Sequence, residues 1–573
     1  LGRLEMLRQA TRGESLPMTG QPRDVSALVA HLLDREPANR PSAAEALATV
    51  RRILDAPTRR IRIAAATMAI LLVIAGATKY ALDVSKARDE ARRERRQAEQ
   101  LVGFMVGDLR QKLEAVGRLD VLDAAATRAL DYYSSLRPDE LTGEDLDHNA
   151  RALEQLGQVR DREGKLPQAI QLFRQSERFA GAAVQRDPAR DEWQLTLSNA
   201  HFRLGDAFRR QRNVPEMLRS FGAYYRISQQ LAHRHPGDAR YQAELSYGHG
   251  NLGAAYQAAG DVPRALAEYR IACDLDRERL RRAPSDEQWQ ADLANSLNRL
   301  GTVLMSRGDF AGARRAFEEN LQLRRQLAQA APNDARRQQR LATALAYAGT
   351  LQQASGDAPR ALALFREEAA LTAALARRDP ANAEARRNRD VAQLRLIALL
   401  PANEALPLAE AAVRDLRAVV RADARAVWRT DLAGALVRLA SIRSELHDRA
   451  ATRAASVEAL AVAEPLVRER PRDVACIRML CNALMIAAKL DEEEGRLPLA
   501  TERRTRAAEL ANAALDDPLL AAARVRALFA LGRRAEAMPA ARRLLGSGYA
   551  EEEFVALVNN NSPPLLSRTR AVP

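Results

Sequence analysis

The chain has 573 residues, 47% of them apolar and 28% charged, with 88 Lys and Arg against 74 Asp and Glu for a net charge of +14. That length exceeds what one compact core accommodates, and that apolar fraction excludes a chain disordered by composition. Aromatics are only 4%, and no extended Val/Ile/Thr alternation occurs, so the expected fold class is all-α. The arginines are dispersed instead of clustered, the pattern of solvated helix faces, and no nucleic-acid partner is expected. Cys273, Cys476 and Cys481 form no Cys-x-x-Cys pair, so neither a zinc knuckle nor a disulfide framework is indicated, and they read as small buried apolar groups.

The first legible stretch is "LVAHLLDREPANRPSAAEALATVRRIL", Leu28 to Leu54, in which Ser42 and Glu45 have the spacing of a capping box ahead of an amphipathic helix. Its run Leu-Leu-x-x-x-Pro-x-x-Arg-Pro-Ser-Ala resembles the last two helices of a protein kinase C-lobe, most like the bacterial Ser/Thr kinases of eukaryotic type. The resemblance implies that Arg40 is a structural arginine, which in that family pairs with a Glu ending the activation segment, a segment this chain does not contain. It also implies ATP and Mg as cofactors of the missing kinase domain, with none held by this chain. The Gly-rich loop, the catalytic Asp with its Asn and the Asp-Phe-Gly triplet do not occur, since Asp309-Phe310 is followed by Ala311. No His-Glu-x-x-His metal motif is present either, so no catalytic or metal-ligating residue is assigned. The chain begins at Leu1 without Met, and residues 1–55 read as the end of a truncated kinase domain.

After a basic linker at 56–60, residues 61–82 read as a transmembrane helix: Ile63 to Thr78 is uncharged, Arg62 and Lys79 can snorkel, and Tyr80 suits an interface. A buried core helix is the alternative. The flanking charge excess, +4 over Arg51 to Arg62 and +3 over Lys79 to Arg96, does not decide orientation. The kinase resemblance does, implying a single-pass inner-membrane protein with a cytoplasmic N-terminus and a periplasmic repeat region. Residues 83–136 read as a juxtamembrane helix and capping hairpin.

From residue 137 to 557 one unit recurs. Gly157, Gly205, Gly253, Gly301 and Gly349 stand 48 apart, as do Pro188, Pro236, Pro284, Pro332 and Pro380, and an aromatic follows each Gly by sixteen. Turns such as "GDVPRA" divide each unit into two helices, and Pro ends the second. The order Leu-Gly, Ala, aromatic, Pro resembles the tetratricopeptide repeat, lengthened to 48 residues. The fold class is therefore a TPR-like α-solenoid of long helical hairpins, about nine in all, stacked so that each buries its apolar face against its neighbours. The pattern weakens after Gly349: Ala440 and Ala488 take the Gly slot, and Ile397 to Val420 reads as a unit whose turn has lost about six residues. Residues 558–573 read as a disordered tail. "YGHGNLG", Tyr247 to Gly253, imitates a phosphate-binding turn but lies within a helical unit, with Gly253 as its period glycine.

The resemblance implies a partner groove lined by first helices, for a peptide or protein ligand. Carried over, its residues are Asn199, Asp206, Arg209 and Arg210, then Tyr247 and Gln257, then Asn295, Asn298 and Thr302. The expected function is the anchor and sensor half of a membrane-bound Ser/Thr kinase, acting as a possible homodimer. The alternative is a stand-alone scaffold without kinase activity.

Overall fold

The structure, a computed structural model, describes residues 20–106, 138–422, 424–514 and 516–561. The chain divides into two compact units, Leu1–Ala129 and Leu130–Pro573.

In the first unit α1 (Arg23–Leu32) and a short 3-10 turn (Pro37–Asn39) precede α2 (Ala43–Val106), one helix of 64 residues. Arg40 closes the connecting loop by donating from Nε to the Asp34 carbonyl at 2.9 Å and is exposed. The capping box forms: Glu45 Oε2 accepts from the Ser42 amide at 2.8 Å and from its hydroxyl at 2.9 Å. Those bonds hold the Glu45 carboxyl below its usual value. Residues 56–60 continue α2 without a break. Within α2, Ile63–Lys86 is long and apolar enough to cross a bilayer, and none of it is buried. Leu72 and Val73 are 66% and 71% exposed. The expected capping hairpin, beyond Val106, and residues 562–573 lie outside the described residues.

The second unit is all-α among its described residues. Its hairpins pair α3 (Gly143–Arg162) with α4 (Leu166–Arg186), α5 (Asp191–Gln211) with α6 (Val214–Arg234), α7 (Ala239–Ala259) with α8 (Val262–Arg282), α9 (Glu287–Ser306) with α10 (Phe310–Ala330), and α11 (Ala335–Ala354) with α12 (Ala358–Arg378). Then follow α13 (Ala383–Ile397) with α14 (Ala402–Ala422), α15 (Ala426–Glu445) with α16 (Arg449–Glu469), α17 (Val474–Glu493) with α18 (Leu497–Leu510), α19 (Pro518–Ala530) with α20 (Arg534–Ser547), and a single α21 (Glu552–Asn561). The last of these carries helix to Asn561, four residues into the segment expected as a tail.

The period glycines have one cause. A Cβ on Gly157, Gly205, Gly253, Gly301 or Gly349 would lie 2.4–2.9 Å from the ring of Phe173, Phe221, Tyr269, Phe317 or Phe365, the aromatic sixteen residues on. No side chain fits there, so two helices and a ring meet without a void. Each second helix ends two residues before its Pro, and the next first helix returns a Gln to that carbonyl: Gln194 to Pro188 at 3.1 Å, Gln242 to Pro236 at 3.4 Å, Gln290 to Pro284 at 2.8 Å and Gln338 to Pro332 at 3.3 Å. Second helices of successive hairpins are joined by a ladder of ion pairs, Arg277 to Glu319 at 2.7 Å and Arg325 to Glu367 at 2.6 Å. Much of the dispersed arginine is thus paired across hairpins.

The turn glycines Gly164, Gly260, Gly308, Gly356 and Gly495 are left-handed, with φ between +78° and +81°. Arg212 and His447 occupy the same slot at φ 56° and 58°. An L side chain pays about 1–2 kcal/mol there, against roughly 0.5–1 for the extra chain entropy of glycine. His447→Gly should therefore stabilise the chain by about 0.5–1 kcal/mol, read as a rise in Tm.

The unit expected to have lost part of its turn is instead shortened in its first helix: α13 has 15 residues where α11 has 20. The last elements fold back on the array. The Ala550 amide donates to the Ala354 carbonyl at 2.8 Å, and the Tyr549 ring lies 6.1 Å from Phe310. One apolar cluster accordingly runs from Tyr269 and Phe317 to Leu520 and Phe554.

Glu368 on α12 is buried, and burial pushes its carboxyl up to about 7 although Arg395 donates to it at 2.5 Å. A carboxyl raised above its unfolded value of 4.5 stabilises the fold when protonated, and that stability is lost as pH rises through about 7. The stability difference between Glu368→Gln and the parent should therefore shift by about 3 kcal/mol in favour of the variant between pH 4 and pH 8, measured by urea unfolding.

Candidate binding groove

First helices of successive hairpins line a cavity of about 540 Å³. Asn199 and Arg203 reach it from α5, Tyr247 and Gly250 from α7, Asn295, Asn298 and Arg299 from α9, and Arg340 from α11, with Tyr224 of α6 behind them.

Its wall is fixed by a buried ionic network. Asp276 and Arg279 on α8 and Asp292 on α9 are 1%, 4% and 3% exposed. Arg279 donates from Nη1 to Asp276 Oδ1 at 3.1 Å and from Nη2 to Asp292 Oδ2 at 3.2 Å. The Tyr247 hydroxyl donates to Asp292 Oδ2 at 2.8 Å, Gln288 to its Oδ1 at 2.9 Å, and the Ser296 hydroxyl to Asp276 Oδ2 at 2.7 Å. Burial raises the Asp276 carboxyl above its usual value, and burial beside Asp292 raises the Tyr247 phenol. Tyr247 therefore lines the cavity with its hydroxyl already committed.

The nine residues expected to line a groove separate into two groups. Asn199, Tyr247, Asn295 and Asn298 meet at the cavity. Asn295 Oδ1 accepts from Arg324 at 2.6 Å and Asn298 Oδ1 from Asn320 at 3.3 Å. The other five lie off it. Arg209 donates to Asp206 at 2.6 Å, Arg210 bridges Asp206 at 2.9 Å and Asp161, Gln257 accepts from the Tyr269 hydroxyl at 3.0 Å, and the Thr302 hydroxyl donates to the Asn298 carbonyl at 2.7 Å. Arg40 belongs to the first unit.

Asp292, Arg299 and Arg340 were not expected. A signal for two of them exists: nine residues before each period Gly stands a polar side chain, namely His148, Thr196, Glu244, Asp292 and Arg340. The glycines of "YGHGNLG" serve packing. A Cβ on Gly248 would lie 3.3 Å from the Tyr225 backbone, and the Gly250 carbonyl accepts from Arg299 Nη1 at 2.8 Å, with that nitrogen 3.2 Å from where a Cβ would stand. Among the described residues no group of three or more His, Cys, Asp or Glu is placed to hold a metal ion.

Stacked helical hairpins with a first-helix cavity define the second unit as an α-solenoid. No protein-family model matches the chain, and no curated protein matches its sequence. Among solved structures it is similar to BtubC from P. vanneervenii, at 20% identity over 44% of this chain and 90% of the other, with a TM-score of 0.35. It is also similar to a tetratricopeptide repeat protein from Parabacteroides merdae, at 14% identity over 59% and 99% with a TM-score of 0.30. The quorum sensor NprR from B. thuringiensis gives 11% identity over 64% and 88% with a TM-score of 0.40.

Proposed function

We propose that the solenoid is a protein-binding module that takes an extended segment of a partner chain across α5, α7, α9 and α11, carried at a membrane by the span 63–86. The cavity between those helices carries this reading. It offers an aromatic face at Tyr247, and among the described residues Asn199 and Arg340 make no hydrogen bond, leaving an amide and a cation for the carbonyls and carboxylates of an extended peptide. A photo-crosslinking side chain placed at Asn199 should trap one discrete partner. The same group at Gln257, off the cavity, should not. Equal labelling from both positions would overturn the reading.

The finer proposal is that the chain is the anchor and sensor part of a bacterial Ser/Thr kinase. The loop from Leu32 to Ala43, with its Arg40 and capped Ser42, supports it through the kinase resemblance, and the uncovered apolar run supports the membrane span. With a cytoplasmic kinase domain, the solenoid would be periplasmic and a bound partner could bring two chains together. A periplasm-dependent reporter fused at the C-terminus should be active, and activity only from a cytoplasmic reporter would refute this orientation. An upstream coding region without a Gly-rich loop and catalytic Asp would leave the stand-alone scaffold.

A further inference from the structure

Two chambers of about 360 and 510 Å³ lie where the last hairpin returns to the first-helix faces of α11, α13, α15 and α17. They share a wall that includes Arg395, Arg478 and Leu519. Four guanidinium groups and one carboxylate line the smaller: Arg395, Arg438, Arg478, Arg526 and Glu551. Two of the four are answered, Arg395 by Glu368 at 2.5 Å and Arg526 by Glu551. Among the described residues Arg438 and Arg478 make no hydrogen bond or ion pair, and Arg478 Nε is shut off from solvent without a partner. Burial pushes both groups below the usual arginine value, and the carboxylates that act on them do so only through space: Glu445, Glu551 and Glu553 on Arg438, and Asp517 on Arg478. Asp517 is engaged elsewhere, capping α19 by accepting from the Leu520 amide at 2.9 Å.

Half-buried cations whose counter-charges act only through space are costly to hold, and a fold keeps them where something anionic completes the site. The rest of the lining tells what that is. Leu394, Val437, Met479 and Leu519 offer an apolar surface, while Gln353 and Asn482 offer amides. A chamber of this size, covered by α19 and the Tyr549–Glu551 segment, has the dimensions of a small-molecule site. We propose that these chambers bind a small organic anion, a carboxylate or phosphate ester with an apolar body, whose charged group is taken by Arg438 and Arg478. The site is separate from the groove of α5 to α11, so either can fail without the other.

The full chain, purified in detergent, is titrated calorimetrically with pyrophosphate and with citrate at constant ionic strength, chloride serving as the control anion. Saturable one-to-one binding is expected, with competition between the two, and the tighter of them distinguishes a phosphate from a carboxylate ligand. Arg438→Gln and Arg478→Gln should each weaken it about tenfold, the effect of losing one charge-assisted hydrogen bond. Arg478→Lys, which keeps the charge but loses the fork, guards against a folding defect and should weaken binding by a smaller factor. No saturable binding at millimolar anion, or the same affinity in the parent and all three variants, would overturn the proposal.

Discussion

Replacing Arg279 with Met should lower the unfolding free energy by about 3–5 kcal/mol, since it leaves Asp276 and Asp292 buried without their shared cation. The guanidinium also lies 5.1 Å from the centre of the Trp289 ring, so with Trp193 and Trp428 replaced by Phe, tryptophan fluorescence during urea unfolding reports the change locally. The loss should shrink in acid. Asp276 already has its carboxyl raised by burial, and without Arg279 it rises further; protonation below that value removes the uncompensated charge. Arg279→Met in an Asp276→Asn, Asp292→Asn background should cost far less than in the parent. An equal cost in both would show that Arg279 acts by packing alone. Because Tyr247 donates to Asp292, the same variant should also loosen the wall of the cavity.

Gly301→Ala should cost about 1–3 kcal/mol even though alanine is favoured over glycine within a helix by about 1 kcal/mol. The new methyl would stand 2.6 Å from the Phe317 ring, closer than real Cβ contacts allow, so overpacking outweighs propensity. Phe317→Ser alone should cost about 3–5 kcal/mol through the cavity it opens. In the double variant the methyl has room, and the combined loss should fall short of the sum by about 1 kcal/mol or more in a denaturation cycle. The chain contains its own precedent: Ala440 and Ala488 fill the glycine slot, and sixteen residues after them stand Ser456 and Arg504 in place of a ring. Simple additivity would remove the steric explanation of the repeat.

This pairing also explains what could be read from the residues alone. Gly, aromatic and Pro recur because one steric solution is reused in every hairpin, so period, hairpin order and the ends of second helices were legible. Detection faded after Gly349 because the solution changed. Ala440 with Ser456 closes the same seam with different residues, and at α13 the first helix itself is shorter. The Gln to Pro ties and the Arg277–Glu319 type of ladder went unread, since they depend on how one hairpin is rotated against the next. At the groove, slot position located Asn199, Tyr247, Asn295 and Asn298 but could not reveal which polar groups were already satisfied. Asp206, Arg209 and Arg210 neutralise one another, and the Thr302 hydroxyl turns back to its own helix. The guanidinium cluster of the two chambers lay beyond reach for a further reason: it is assembled only when α19 and Tyr549 come back onto helices distant in the chain.

That return has a mechanical meaning. An array whose members touch only adjacent members can melt from either end, one element at a time. The bond from Ala550 to Ala354 fastens the far end to the middle, so the intervening hairpins form a clasped ring that must open before any of them frays. Arg212, at the α5–α6 turn, is likewise tied to Asp473 at 2.8 Å, so pulling on such a molecule should give one abrupt rupture from α5 onward and gradual yielding only for α3 and α4.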